Sequence, residues 1–113
     1  MDKDPLLYIH HIEDAISSIE EYVTGINESD FLEKKLVQDA VIRNLEIIGE
    51  AAKRLPDGIK LSYARIEWKK ICGMRDVLIH DYLGVDIKKV WNVVINHLPE
   101  LKKEISFILQ AEK

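Results

Sequence analysis

A chain of 113 residues has room for one hydrophobic core and excludes two separately stable ones. Hydrophobic residues at 47% and charged residues at 32% describe a globular protein rather than a disordered one, and no run approaches the roughly eighteen apolar residues of a membrane span. The net charge of −4 excludes a surface coated uniformly for nucleic acid, but not a local basic site: from Lys60 to Arg75, five cations (Lys60, Arg65, Lys69, Lys70, Arg75) stand against one anion, Glu67.

The N-terminal residues Met1 to Pro5 are polar and lack an apolar signal core. Asp4-Pro5 reads as a helix start, with Asp capping free amides and Pro losing no bond at the first helical position. Ile9, Ile12, Ile16, Ile19 and Val23 then form one apolar stripe at steps of three and four, and Gly25 is the expected terminator. A second helix is expected from near Asp30, where Asp30 and Glu33 have capping-box spacing, to Leu55, with Pro56-Asp57-Gly58 ending it. Its core stripe is Val37, Val41, Leu45, Ile48, Ala52 and Leu55. Another face carries Arg43, Glu46, Glu50 and Lys53, either as exposed ion pairs or as the lining of a cleft in which Glu46 and Glu50 are candidate residues.

Residues Ile59 to Ala64 read as a connection. A third helix turns Trp68, Ile71, Cys72, Leu78 and Ile79 to the core, and Gly73 within it suggests close helix packing. The lone Cys72 has no intramolecular partner and reads as a buried thiol in a reducing, cytoplasmic compartment. Leu83 to Asp86 breaks the helix, with Asp86 as the next N-cap. The fourth helix keeps the stripe Ile87, Trp91, Val94, Leu98, Leu101, Ile105, Ile108 and is expected to kink at Pro99. The whole chain, 1–113, thus predicts a single all-α domain: an antiparallel, up-and-down bundle of four to five helices. The wide stripes of the first and fourth helices favour a homodimer.

Few residues are placed for chemistry. His10, His11, Glu13 and Asp14 cluster, but only His10 and Asp14 share a face, so surface histidines are expected and no metal or other cofactor. His97 sits beside the core stripe and reads as structural. There is no glycine-rich phosphate loop, and no serine or cysteine has the context of a nucleophile. What remains is Arg75-Asp76-Val77-Leu78-Ile79-His80-Asp81-Tyr82. On a helix of about 100° and 1.5 Å per residue, Arg75 and Tyr82 lie on nearly one face, roughly 10 Å apart, while His80 shares a face with Asp76, roughly 140° from Arg75. One straight helix cannot converge Arg75 and His80 on a small group; the helix must end near His80, or a second chain must supply the other half. His80 can move protons near neutral pH, Arg75 offers a fork of donors to phosphate, and Asp76 could hold the imidazole in one tautomer. These residue types suit metal-free RNA cleavage, in which a 2′-hydroxyl attacks its own phosphate. They also suit a helix end satisfying the polar groups of a bundle.

Arg75-(x)4-His80-x-Tyr82 resembles the Arg-x4-His-x-Tyr motif of HepT-like proteins in the HEPN superfamily of helical-bundle ribonucleases. The resemblance extends to Gln38 through Ala51, to Gly73-Met74-Arg75-Asp76, and to Val85-Asp86 followed by Trp91, and so covers most of the chain. It implies a dimeric bundle whose two copies of Arg75 and His80 face a shared cleft and cleave RNA without a metal. The position after the family's Arg is commonly polar, often Asn; Asp76 instead brings a negative charge. The resemblance further implies the toxin of a type VII-like toxin–antitoxin pair, neutralised by an MNT-type nucleotidyltransferase that adds AMP to the motif tyrosine, Tyr82. The alternative is a non-catalytic helical module that binds such a transferase subunit or a nucleotide.

Overall fold

A computed structural model describes residues 4–80 and 85–112, with Pro5 and residues 75–80 described as backbone only. The described residues are all-α, as expected, and contain no strand. The elements are α1 (Pro5–Val23), α2 (Glu28–Glu33), α3 (Lys35–Arg54), α4 (Asp57–Ser62), α5 (Trp68–His80), α6 (Ile87–Asn92), a π-helical segment (Val93–His97) and α7 (Leu98–Ala111). Four rods make the bundle: α1, α3, α5, and the run from α6 through the π segment to α7. α3 packs along both α1 and α5, and α1 also packs on α7. Among the described residues no helix is long and apolar enough to cross a membrane.

α1 begins as its sequence dictates. The Asp4 carboxylate accepts the Leu6 N–H at 2.9 Å, and Pro5 follows as the first helical residue. Ile9, Ile12, Ile16 and Ile19 are buried against Val41, Leu45 and Ile48 of α3 and Ile105 and Ile108 of α7 in one core. Each such side chain contributes about 1.5–3 kcal/mol by leaving water. The helix ends at Val23, and the turn that follows it contains Gly25, whose φ of 77° lies in the left-handed region that only glycine enters freely.

The single helix expected from Asp30 to Leu55 is two. It breaks at Lys34 (φ −104°, ψ 87°). The polar stretch Asn27-Glu28-Ser29-Asp30 offers several possible N-caps, and Asn27 is the one used: its side chain accepts the Asp30 N–H at 2.8 Å, and the Asp30 carboxylate accepts the Asn27 N–H at 3.2 Å. The break has a tertiary cause. Phe31 is fully buried, with its ring centroid 5.0 Å from that of Trp91, and α2 lies against α6 as well as α3. The Phe31 carbonyl accepts the Lys34 N–H at 3.3 Å and, as a second donor, the side-chain amide of Gln38 at 2.9 Å, which ties α3 to the end of α2.

Three further expectations are corrected. The connection after Pro56 contains the short, unburied helix α4. Gly73 is exposed, and a Cβ there would meet no atom within 4 Å, so it does not mark close packing. Cys72 is half-buried rather than buried. Leu78 and Ile79 lie among the residues described as backbone only.

The last rod starts at Asp86, whose carboxylate accepts the Lys88 and Lys89 N–H groups. The irregularity expected at Pro99 appears just before it, as a π turn. Pro99 has no N–H, and its ring would press on the carbonyl four residues earlier in a regular helix. The wider turn, closed by Leu98 N–H donating to the Val93 carbonyl, relieves that crowding. Val94 and Leu98 of the expected stripe are buried and its Ile87 and Trp91 pack partly buried against the core, while Val90, outside that stripe, is buried too, so the core face of this stretch is wider than expected.

Candidate functional site

α5 carries the residues that the sequence singles out. Its start is pinned by Trp68, which is 7% exposed and whose indole N–H donates to the Tyr63 carbonyl at 3.2 Å. From there the helix runs without interruption through His80, so Arg75, Asp76 and His80 all stand on one helix. Arg75 follows Trp68 by two turns in the same register. Asp76 and His80 continue the register of Lys69 and Gly73, both exposed. The backbone therefore keeps Arg75 and His80 roughly 140° apart. Tyr82 lies outside the described residues.

Glu46 and Glu50 stand on α3, which packs against α5. Gly49, between them, is buried, while both carboxylates are partly exposed. Glu46 faces Arg43 at 3.6 Å and Glu50 accepts from Arg54 at 3.0 Å; the second contact holds the Arg54 guanidinium more firmly cationic than usual. Arg43 and Arg54 are largely exposed, so these pairs contribute little to stability.

The structure adds a feature that sequence reading missed. A cleft of about 600 Å³ opens between α5, the π segment and α7. Its floor includes Leu45 and Ile48 of α3, and α5 lines it with Lys70, Ile71 and Met74, the residue before Arg75 in the chain. His97, on the exposed side of the π segment, stands at its rim with Glu67 and Glu100. Lys70 bridges to Glu67 at 2.7 Å and Arg65 to Glu104 at 3.9 Å. The Lys70 ammonium, and more weakly His97, hold the Glu67 carboxyl below its usual value. The available signal was the departure from regular helix at Pro99, which sets His97 out of the core stripe to which its sequence neighbours belong.

The N-terminal histidines lie apart from this cleft. His10 and His11 are exposed, and His10 faces Glu13 at 3.4 Å rather than Asp14. Among the described residues no three His, Cys, Asp or Glu side chains are grouped to hold a metal ion.

Comparison with known proteins supplies the chemical context. The family described as "Ribonuclease HepT-like" matches residues 12–108. A protein of Methanocaldococcus jannaschii named "Gamma-glutamylcyclotransferase and putative RNase" is 47% identical over 110 residues, covering 97% of this chain and 50% of the relative, so the chain spans half of that protein's length. A "Putative RNase" of Caldanaerobacter subterraneus is 41% identical over 111 residues, covering 98% of this chain and 99% of the relative. A "Probable ribonuclease HepT" of Thermococcus cleftensis is 46% identical over 95 residues, covering 84% and 86%. No solved structure matches the chain.

Proposed function

Because the chain belongs to the HepT-like ribonuclease family, we propose that it is a toxin-type endoribonuclease that cleaves RNA without a metal, through Arg75 and His80. The observation that carries this reading is the family match, which spans the stretch containing Arg75-(x)4-His80-x-Tyr82. In the proposed reaction His80 takes the proton of a ribose 2′-hydroxyl. The 2′-oxygen attacks the adjacent phosphorus, the bond to the 5′-oxygen breaks, and that oxygen leaves with a proton from a second imidazole, giving a 2′,3′-cyclic phosphate. Arg75 holds the phosphate oxygens as charge builds on them. Asp76, one turn before His80, orients the ring as a positioning residue. Glu46 and Glu50 border the site from α3.

The angular separation of Arg75 and His80 along an unbroken α5 supports a site completed by a second copy of the chain, which would supply the missing Arg and His. Tyr82 is the regulatory position in this reading: a nucleotidyltransferase partner neutralises the toxin by adding AMP to its hydroxyl.

The test is cleavage of RNA in the presence of a chelator by wild-type protein and His80→Ala. Removal of a general acid–base group lowers the rate by about 10²–10⁴-fold. Equal cleavage by both would remove His80 from the mechanism and favour a non-catalytic module that binds the transferase. Size-exclusion chromatography of the active species adds a second check, since an active strict monomer would rule out the two-chain site. For Tyr82, incubation with ATP and the transferase should add the mass of one AMP to wild type and none to Tyr82→Phe; an unmodified wild type beside an active transferase would end that assignment.

A further inference from the structure

The cleft beside α5 has no role in the cleavage scheme above, yet it opens next to it. Met74 lines it and Arg75 follows in the chain, about 100° further around the same helix. A strand cut at Arg75 must be held on at least one side of the cut, and the cleft is a concavity that α5 itself lines there. Building on the ribonuclease reading, we propose that this cleft is a nucleobase subsite: it takes the base of a nucleotide neighbouring the cleaved phosphate and favours bases that carry an exocyclic amine over uracil.

Three properties point to that occupant. The size, about 600 Å³, lies in the range of sites that take small organic groups. The floor is aliphatic and the thioether side chain of Met74 lines it as well; such a surface accepts the flat face of a base, and sulfur adds favourable contact with an aromatic ring. The His97 ring at the rim supplies a plane on which an unstacked base can lie.

The rim charges select the edge of the base. Glu67 and Glu100 are acceptor-only carboxylates. They match the amine N–H groups of cytosine, adenine and guanine, and face the two carbonyl oxygens of uracil unfavourably. Cations for the strand's phosphates lie alongside: Lys103 lines the cleft and forms no ion pair among the described residues. Lys70 is 79% exposed, so its bridge to Glu67 can exchange for a phosphate at little loss.

The experiment is photo-crosslinking of the wild-type protein to an RNA oligonucleotide that carries 8-azidoadenosine and is made uncleavable by 2′-O-methyl groups, followed by peptide mapping. Crosslinks are expected in residues 65–74 and 93–104, competed at least 5-fold better by poly(A) or poly(C) than by poly(U). The double variant Glu67→Gln/Glu100→Gln, altered only at exposed positions, should bring that ratio towards one. Crosslinks confined to other surfaces of a protein that cleaves RNA would overturn the subsite alone and leave the groove to a protein segment. An unchanged base preference in the double variant would overturn the selectivity. Crosslinks in the cleft of a protein with no nuclease activity would support the subsite and sink the cleavage reading, whereas neither crosslinks nor cleavage would sink both.

Discussion

Phe31→Ala tests why the chain breaks at Lys34. Phe31 is fully buried and is the one buried residue of α2. Truncating a buried phenylalanine costs about 3–5 kcal/mol, of which about 1 kcal/mol belongs to the ring pair with Trp91 at 5.0 Å. A helix of six residues does not hold itself together in water. Without Phe31 as an anchor, α2 should leave the bundle and expose one side of Trp91. A loss of about 4 kcal/mol is a large share of the roughly 5–15 kcal/mol that stabilises a domain of this kind. At roughly 4 °C per kcal/mol it lowers Tm by about 15 °C. Urea unfolding followed by circular dichroism gives the free energy, and amide exchange over residues 28–33 reports whether α2 has come away. A double-mutant cycle with Trp91→Leu should show coupling of about 0.5–1.5 kcal/mol. A loss under about 1 kcal/mol, or no coupling, would show that α2 is not held by this contact and that the break at Lys34 has another cause.

Other outcomes follow from local geometry. Asp86→Ala removes the acceptor for the Lys88 and Lys89 N–H groups and should cost about 1 kcal/mol in urea unfolding; no change would show that the cap contributes nothing to α6. Gly25→Ala places a Cβ in open space but at φ 77°, so the strain of the left-handed backbone alone should destabilise by about 1–2 kcal/mol. Lys70→Ala should raise the Glu67 titration midpoint, read by NMR of its carboxyl carbon, because the ammonium that depresses it is gone. A depressed carboxylate stabilises the fold above its unfolded pKa and loses that contribution as pH falls through its folded pKa. The wild-type advantage over Lys70→Ala should therefore fade in acid, and an unmoved midpoint would refute the contact.

What could be read from the sequence was local. The start, stripe and end of α1 are set by Asp4, four isoleucines and Gly25, all within one segment, and each stands where its spacing predicts. Asp86 is legible as an N-cap for the same reason. The α2–α3 break was not, because a helical pattern continues across Lys34 and only the distant Trp91 makes it worthwhile to turn Phe31 inward. Pro99 announced an irregularity but not its kind; whether a helix kinks or widens depends on what the neighbouring residues must bury. At the site, the placement of Arg75, Asp76 and His80 on a single helix could be read in advance. The cleft could not, since α3, α5 and the last rod each contribute a part that means little alone.

The wide turn at Val93–His97 also says where this protein can change length. A π turn accommodates one residue more than the α-helix around it, and here the surplus lies between two stretches that are both fixed to the core, Val90 on one side and Ile105 and Ile108 on the other. Deleting one residue inside the turn would let the rod close into regular helix with Ile105 and Ile108 still directed at α1. A deletion elsewhere between Ile87 and Glu104 would swing the following residues by about 100° and turn that pair out of the core. The turn is thus the one joint in the last rod where the chain can lose a residue and keep its register, and Pro99 sets the limit on doing so, because a regular helix there would bring back the crowding that the turn relieves.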